Sequence, residues 1–334
     1  MEENKEEVIA EEVAESKTKV EELETKEEKE TKKISKEKTF QKIEENRKAF
    51  FDAYNKQKKQ NTLLIVLFGL VAIGVFLGLN KYFYIALIIV VVLMVGLYFY
   101  SKSMKNSMEK KIQDYISEFY NLSNDFAFSK TAFNSLTFEP QTKIEEKDFI
   151  DSGFINGITH VGSRNMVKGK LGEMNFLAFD CVAKIVVKNK EEVCFLGKFF
   201  TFQQPNNYEY KTLLYVPSKD PNGAGPNDLE GLEEKKELGN SHLRIWSNDP
   251  NVSHILTKKV YDALAQFEPN DCLVDVAISI KEDKIYVALS YENELMVLPL
   301  TEPFKEGPTL QYAEDLKKVS SLMEVLHIEG LIIW

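Results

Sequence analysis

TLLIVLFGLVAIGVFLGL (Thr62–Leu79) and YFYIALIIVVVLMVGLYFY (Tyr82–Tyr100) stand back to back, parted only by Asn80 and Lys81. Neither run contains Asp, Glu, Lys, Arg or His. Each has the length that crosses ~30 Å of hydrocarbon as a helix of about 20 residues, the form that satisfies every backbone polar group inside a bilayer. The reading is a transmembrane helical hairpin, with one span over 62–79 and the other over 82–100. A single continuous apolar helix would overshoot the bilayer and carry Asn80–Lys81 at its centre.

The flanks set an orientation. Lys56, Lys58 and Lys59 precede the first span, Lys102, Lys105, Lys110 and Lys111 follow the second, and Lys81 is the one charge at the tip. Basic flanks stay on the cytoplasmic side, which places both termini in the cytoplasm of a multi-pass cell-membrane protein. The same lysines reach anionic headgroups of the lipid bilayer. Cys181, Cys194 and Cys272 form no CxxC and read as reduced thiols of a cytosolic domain. The first 61 residues contain no short apolar core, so the first span is expected to act as its own insertion signal.

Charge divides the chain. Residues 1–39 carry a net −5, residues 40–122 a net +5, and residues 123–334 a net −10. With 32 acidic against 22 basic side chains, residues 123–334 lack the basic surface that nucleic acid requires. Residues 1–39 are Glu, Lys and Thr without an aromatic, a composition that reads as a disordered charged tail. Phe40, Ile43, Phe50, Phe51 and Tyr54 then recur at helical spacing, predicting an amphipathic helix over 40–61. Met104, Met108, Ile112, Tyr115, Ile116, Phe119 and Tyr120 repeat the pattern over 101–122. The two are expected to pack as an antiparallel coiled stalk that ends near Asn124 and Asp125.

Residues 125–334 read as an α+β domain on a mainly antiparallel β-sheet with a few helices. Asn175–Val187 alternates, with Leu177, Phe179, Cys181, Ala183, Ile185 and Val187 on one face and Asp180 and Lys184 on the other. Lys188–Glu191 turns the chain, and Glu192–Gln203 returns with phenylalanines on both faces, the mark of a strand covered on both sides. Tyr208–Val216 is a further strand that, if it forms a sheet edge, could pair with a partner's strand. Pro217–Gly231 is a loop. His242–Trp246 is a short strand, and Asp249 with Pro250 starts a helix interrupted near Thr257. Cys272, Val274, Val276, Ile278 and Ile280 alternate, Lys281–Lys284 turns, Ile285, Val287 and Leu289 return, and a last helix covers Tyr312–Leu326. Gly330–Trp334 is expected to close the domain as a strand or plug.

Motifs for chemistry are absent. His160, His242, His254 and His327 have no i, i+4 partner, and there is no HExxH, GxSxG or SxxK. Pro221–Pro226 is glycine-rich without the Lys-Ser or Lys-Thr of a phosphate loop, and Gly169–Gly172 reads as a hairpin turn. Cys181 and Cys272 are placed on apolar strand faces as small hydrophobes. No catalytic, cofactor-binding or metal-ligating residue and no cofactor is assigned. Gly69, Gly74 and Gly78 suit close helix packing, in the hairpin or in a homo-oligomer.

Several segments resemble the bacterial two-pass membrane proteins of domain-of-unknown-function family 3137. They are Asn165–Gly172 before a long strand, Phe195–Phe202, and Ile245-Trp-Ser-Asn-Asp-Pro running into Ile255-Leu-Thr-Lys-Lys-Val-Tyr-Asp-Ala-Leu264, followed by Lys284–Leu289. The resemblance covers about residues 100–328. It implies a membrane-anchored cytoplasmic domain and points to a LemA-type membrane protein as a partner. The function expected is a non-catalytic interaction or scaffold module. A membrane-tethered enzyme with a spatially assembled site, or an accessory subunit of a larger membrane complex, remains the alternative.

Overall fold

The computed structural model describes residues 3–78, 83–217, 226–267 and 272–328. The hairpin tip, most of the Pro217–Gly231 loop and the Gly330–Trp334 tail lie outside the described residues. The chain divides into two compact units, Met1–Glu109 with Leu300–Phe304, and Lys110–Pro299 with Lys305–Trp334.

In the first unit, helix α1 spans Glu3–Gly78 and helix α2 spans Phe83–Phe128, with α2 continuing beyond Glu109 into the second unit. The backbone over 3–39 is helical, where a disordered tail was expected. Glu, Lys and Ala are strong helix formers, and no glycine precedes Gly69 and no proline precedes Pro140 to break the run. Phe40, Ile43 and Arg47 are buried. The Phe40 ring lies 5.3 Å from that of Phe304. Glu44 accepts from the Phe304 amide at 3.0 Å and from Arg47 at 2.7 and 2.8 Å. Gln57 Nε2 donates to the Met104 carbonyl at 2.9 Å, tying α1 to α2.

Large apolar side chains between Leu63 and Tyr100 are exposed, a concentration that a water-facing surface does not tolerate. The stretch Leu87–Phe128 is long and apolar enough to cross a membrane, and its apolar window is unburied. The companion run in α1 ends against undescribed residues. Gly69, Gly74 and Gly96 face open space.

The second unit begins at Lys110, earlier than the predicted boundary near residue 125. Tyr115, Phe119, Tyr120, Phe126 and Phe128 of α2 are buried, and Tyr115 and Tyr120 donate to the carbonyls of Pro299 and Met296 at 2.6 and 2.9 Å. The lower aromatic stripe, expected in a stalk, thus serves the sheet. The same burial carries α2 past Asn124 and Asp125 to Phe128. There the Ser129 and Thr131 hydroxyls take up the carbonyls of Phe126 and Phe128, both at 2.7 Å.

The extended runs are β1 (Phe133–Glu139), β2 (Ile158–Leu171), β3 (Met174–Val187), β4 (Lys190–Val216), β5 (Glu233–Glu234), β6 (Arg244–Ser247) and β7 (Leu273–Tyr291). All pair antiparallel in one sheet. Gly172, at φ +59°, turns β2 into β3. Lys188 and Asn189, at φ 50° and 63°, turn β3 into β4, as a two-residue hairpin loop with both residues left-handed requires.

β7 folds back on itself. A straight strand of its length would part its ends by about 60 Å, yet the Glu292 amide donates to the Cys272 carbonyl at 3.1 Å. Glu282, at φ 55°, makes the bend within the expected Lys281–Lys284 turn. β4 also has two arms. Gly197–Gln203 pairs with Lys284–Ser290, and Lys211–Val216 pairs with Val276–Lys281. The β7 hairpin therefore sits between the two arms of β4. Tyr208–Val216 is interior, with β7 on one side and β6 on the other, so the edge position on which strand addition by a partner depended does not arise.

Both sheet faces are covered. One carries Phe149, Phe154, Phe179, Phe195, Phe199, Tyr215, Trp246 and Tyr286, with helix α3 (Glu146–Asp151) supplying Phe149. The other carries Phe128, Phe133, Phe176 and Phe202 in mutual ring contact, with Tyr312 of helix α5 (Glu306–Ile328) against Phe128. The helix expected from Asp249 begins later. Asp249 Oδ1 accepts from the Asn251 amide in a local turn, and a single 3-10 turn follows at Val252–His254. Thr257 then caps helix α4 (Lys258–Leu264) by accepting from the Val260 amide.

Candidate functional site

β4 runs Leu196-Gly-Lys-Phe-Phe through the middle of the sheet, and Lys198 is the residue that does not belong in an apolar strand. Its side chain is 3% exposed. The register pairs it with Asp180 of β3, which in turn pairs with Arg164 of β2. A row of cation, anion and cation crosses three neighbouring strands on the face that bears α5. Lys198 Nζ forms an ion pair with Asp180 Oδ1 and lies 4.3 Å from the centre of the Tyr312 ring. Asp180 Oδ2 accepts from Asn165 Nδ2. Asn165 reaches it because β2 bulges between Arg164 and Val167, with Asn165 at φ 57°. Arg164 pairs with Glu294 at 2.8 Å, and both are about half exposed.

Burial by itself would lower the Lys198 pKa. The opposing charge of Asp180 outweighs that cost, and the net direction is upward. Lys198 is thus a fixed ammonium, unlike the neutral amine that a nucleophilic lysine needs. Burial pushes the Tyr312 hydroxyl up to about 12, against the pull of Lys198. Nearby, Tyr291 donates to Asp315 at 3.0 Å, Gln311 donates to the same carboxylate at 2.9 Å, and Lys318 stands 3.5 Å away. Asp315 is fully buried, and burial raises its pKa despite these partners.

A cavity of about 220 Å³ opens over the row. Arg164, Asp180 and Lys198 line it beside Val182 and Leu196, and the irregular segment after β7 adds Glu294, Leu295 and Met296. Gly162 keeps the floor low, since a Cβ there would come within 3.1 Å of Val182. The result is an apolar-walled chamber whose polar groups balance in charge.

No family model matches the chain, and no curated protein does. Among solved structures, the chain is similar to the crystal structure of the mycobacterial trehalose monomycolate transport factor A, TtfA, at 12% identity and a TM-score of 0.38, covering 63% of this chain and 95% of that one.

The residues weighed for chemistry do not converge. Cys181 is buried in the opposite face's core, and burial raises its thiol pKa, in keeping with its reading as a small hydrophobe. Cys194 is half-buried and raised by the same cause. Cys272 is exposed, against the expectation of a packed residue, because it lies just before the first arm of β7. His160 stands 3.4 Å from Glu146 at the surface, and His242 and His254 are exposed. Among the described residues no cluster of His, Cys, Asp and Glu could hold a metal ion. The alternation of Asn175–Val187 puts Asp180 on a polar strand face, whereas nothing local singles out Lys198 beyond its charge at the centre of a strand with phenylalanines on both sides.

Proposed function

We propose that the protein is a membrane-anchored, non-catalytic interaction module, in which the apolar helices hold the sheet domain at a bilayer surface and the domain binds a partner. The observation that carries this reading is α2 itself. One continuous helix bears an unburied apolar stretch at one end and, at the other, the buried aromatics Tyr115, Phe119 and Tyr120. A bare apolar stretch in the same helix whose last turns belong to the domain is what an anchor requires. The two-pass hairpin with both termini in the cytoplasm is part of the proposal, supported by the lysine-rich flanks. So is a LemA-type partner, which rests on the family resemblance.

Cys272 supplies the test. In a Cys194→Ser variant, Cys272 is the exposed thiol among the described cysteines. An impermeant maleimide is expected to label it only after the cells are permeabilised, and labelling of intact cells would overturn the topology. The chain is expected to stay with membranes in alkaline carbonate, and its release would overturn the anchor. Crosslinking in native membranes is expected to capture a LemA-type protein.

A further inference from the structure

We infer that the cavity above Lys198 is a binding site for a small aliphatic zwitterion, the chemistry of a free α-amino acid. Its charges are arranged as two unlike pairs, Lys198 with Asp180 and Arg164 with Glu294. A ligand that is only an anion meets Asp180 and Glu294. One that is only a cation meets Lys198 and Arg164. A dipolar ligand meets both signs favourably, its carboxylate toward the cations and its ammonium toward the carboxylates.

Lys198 lies beneath the cavity with its ammonium enclosed between Asp180 and the Tyr312 ring, so it acts on a ligand through its charge rather than by contact. A fully buried ammonium is costly to install, and a strand core would be served as well by an apolar side chain. The remaining walls, Val182, Leu196, Leu295 and Met296, suit an aliphatic group. At about 220 Å³ the cavity has room for a handful of water-sized groups. That is below the usual range for drug-sized ligands and in keeping with a small metabolite.

The pairs differ in depth, and the order of entry follows. Arg164 and Glu294 form the half-exposed rim, and Asp180, with Lys198 beneath it, the floor. The segment carrying Glu294, Leu295 and Met296 has no regular structure and is fastened by the Tyr120 hydroxyl on the Met296 carbonyl. Binding needs no covalent step, and the site stands whether or not the proposed membrane topology does.

The test is equilibrium dialysis of the full chain in detergent against leucine, valine and methionine. Two half-ligands serve as controls: 4-methylpentanoate, which lacks the ammonium, and 3-methylbutylamine, which lacks the carboxylate. At least one amino acid is expected to bind saturably at one site per chain, with both half-ligands about tenfold weaker or more, the cost of one charge-assisted contact. Arg164→Gln and Glu294→Gln are each expected to weaken binding about fivefold or more with an unchanged thermal midpoint, since both residues sit at the rim. No saturable binding of any of the three overturns the proposal. So does a half-ligand that binds as tightly, or binding that both rim variants leave intact.

Discussion

Lys198→Met is expected to destabilise the sheet domain by up to about 3 kcal/mol, because the partly buried Asp180 would lose its counter-ion. The double variant Lys198→Met/Asp180→Asn is expected to recover most of that loss, and urea unfolding followed by tryptophan fluorescence measures both. Glu44 offers a second residue-scale test, through pH. The Arg47 hydrogen bonds, helped by the Phe304 amide, bring its pKa down to about 2 against the cost of burial. A depressed carboxylate stabilises above its unfolded value near 4.5 and loses that contribution as pH falls toward 2. Exchange protection of the Phe304 amide, compared with Glu44→Gln at each pH, is expected to fall across that window in the wild type only. Thiol reactivity should follow exposure and thiolate character, with Cys272 alkylated first, Cys194 more slowly and Cys181 only on unfolding.

At the scale of elements, Gly197 marks a close approach of β4 and β7. A Cβ there would stand 1.8 Å from the Leu289 carbonyl oxygen, and a ladder backbone yields less than a flexible side chain. Gly197→Ala is expected to cost about 2–3 kcal/mol, read as a lowered thermal midpoint. Elements of this kind were legible in the sequence wherever the cause was local. The alternation of Asn175–Val187, the two-faced phenylalanines of Glu192–Gln203, the turn at Lys281–Lys284 and the interruption at Thr257 all follow from neighbours in the chain. What escaped depends on distant partners. Whether Tyr208–Val216 lies at an edge is not decided locally, because the strand that covers it, Val276–Lys281, lies far along the chain. The pairing of Lys198 with Asp180 depends on a register that a single strand does not display. The stripe Tyr115–Tyr120 was visible, but its partner was misassigned, since an apolar face does not name what covers it.

The sheet domain is organised around the β7 hairpin lodged between the arms of β4. The first arm of β4 has β3 for a neighbour and the second has β6, so each arm keeps one inner edge open until β7 arrives. During synthesis the chain must run from Val216 to Tyr291 before that gap closes. At about 5–20 residues per second, this is an interval on the order of ten seconds. Through that interval the nascent chain presents two unpaired backbones facing one vacant slot, while the apolar helices have already left the ribosome. Synthesis interrupted in this window would yield a species with a defined appetite, for a β-hairpin from this chain or from a neighbouring copy.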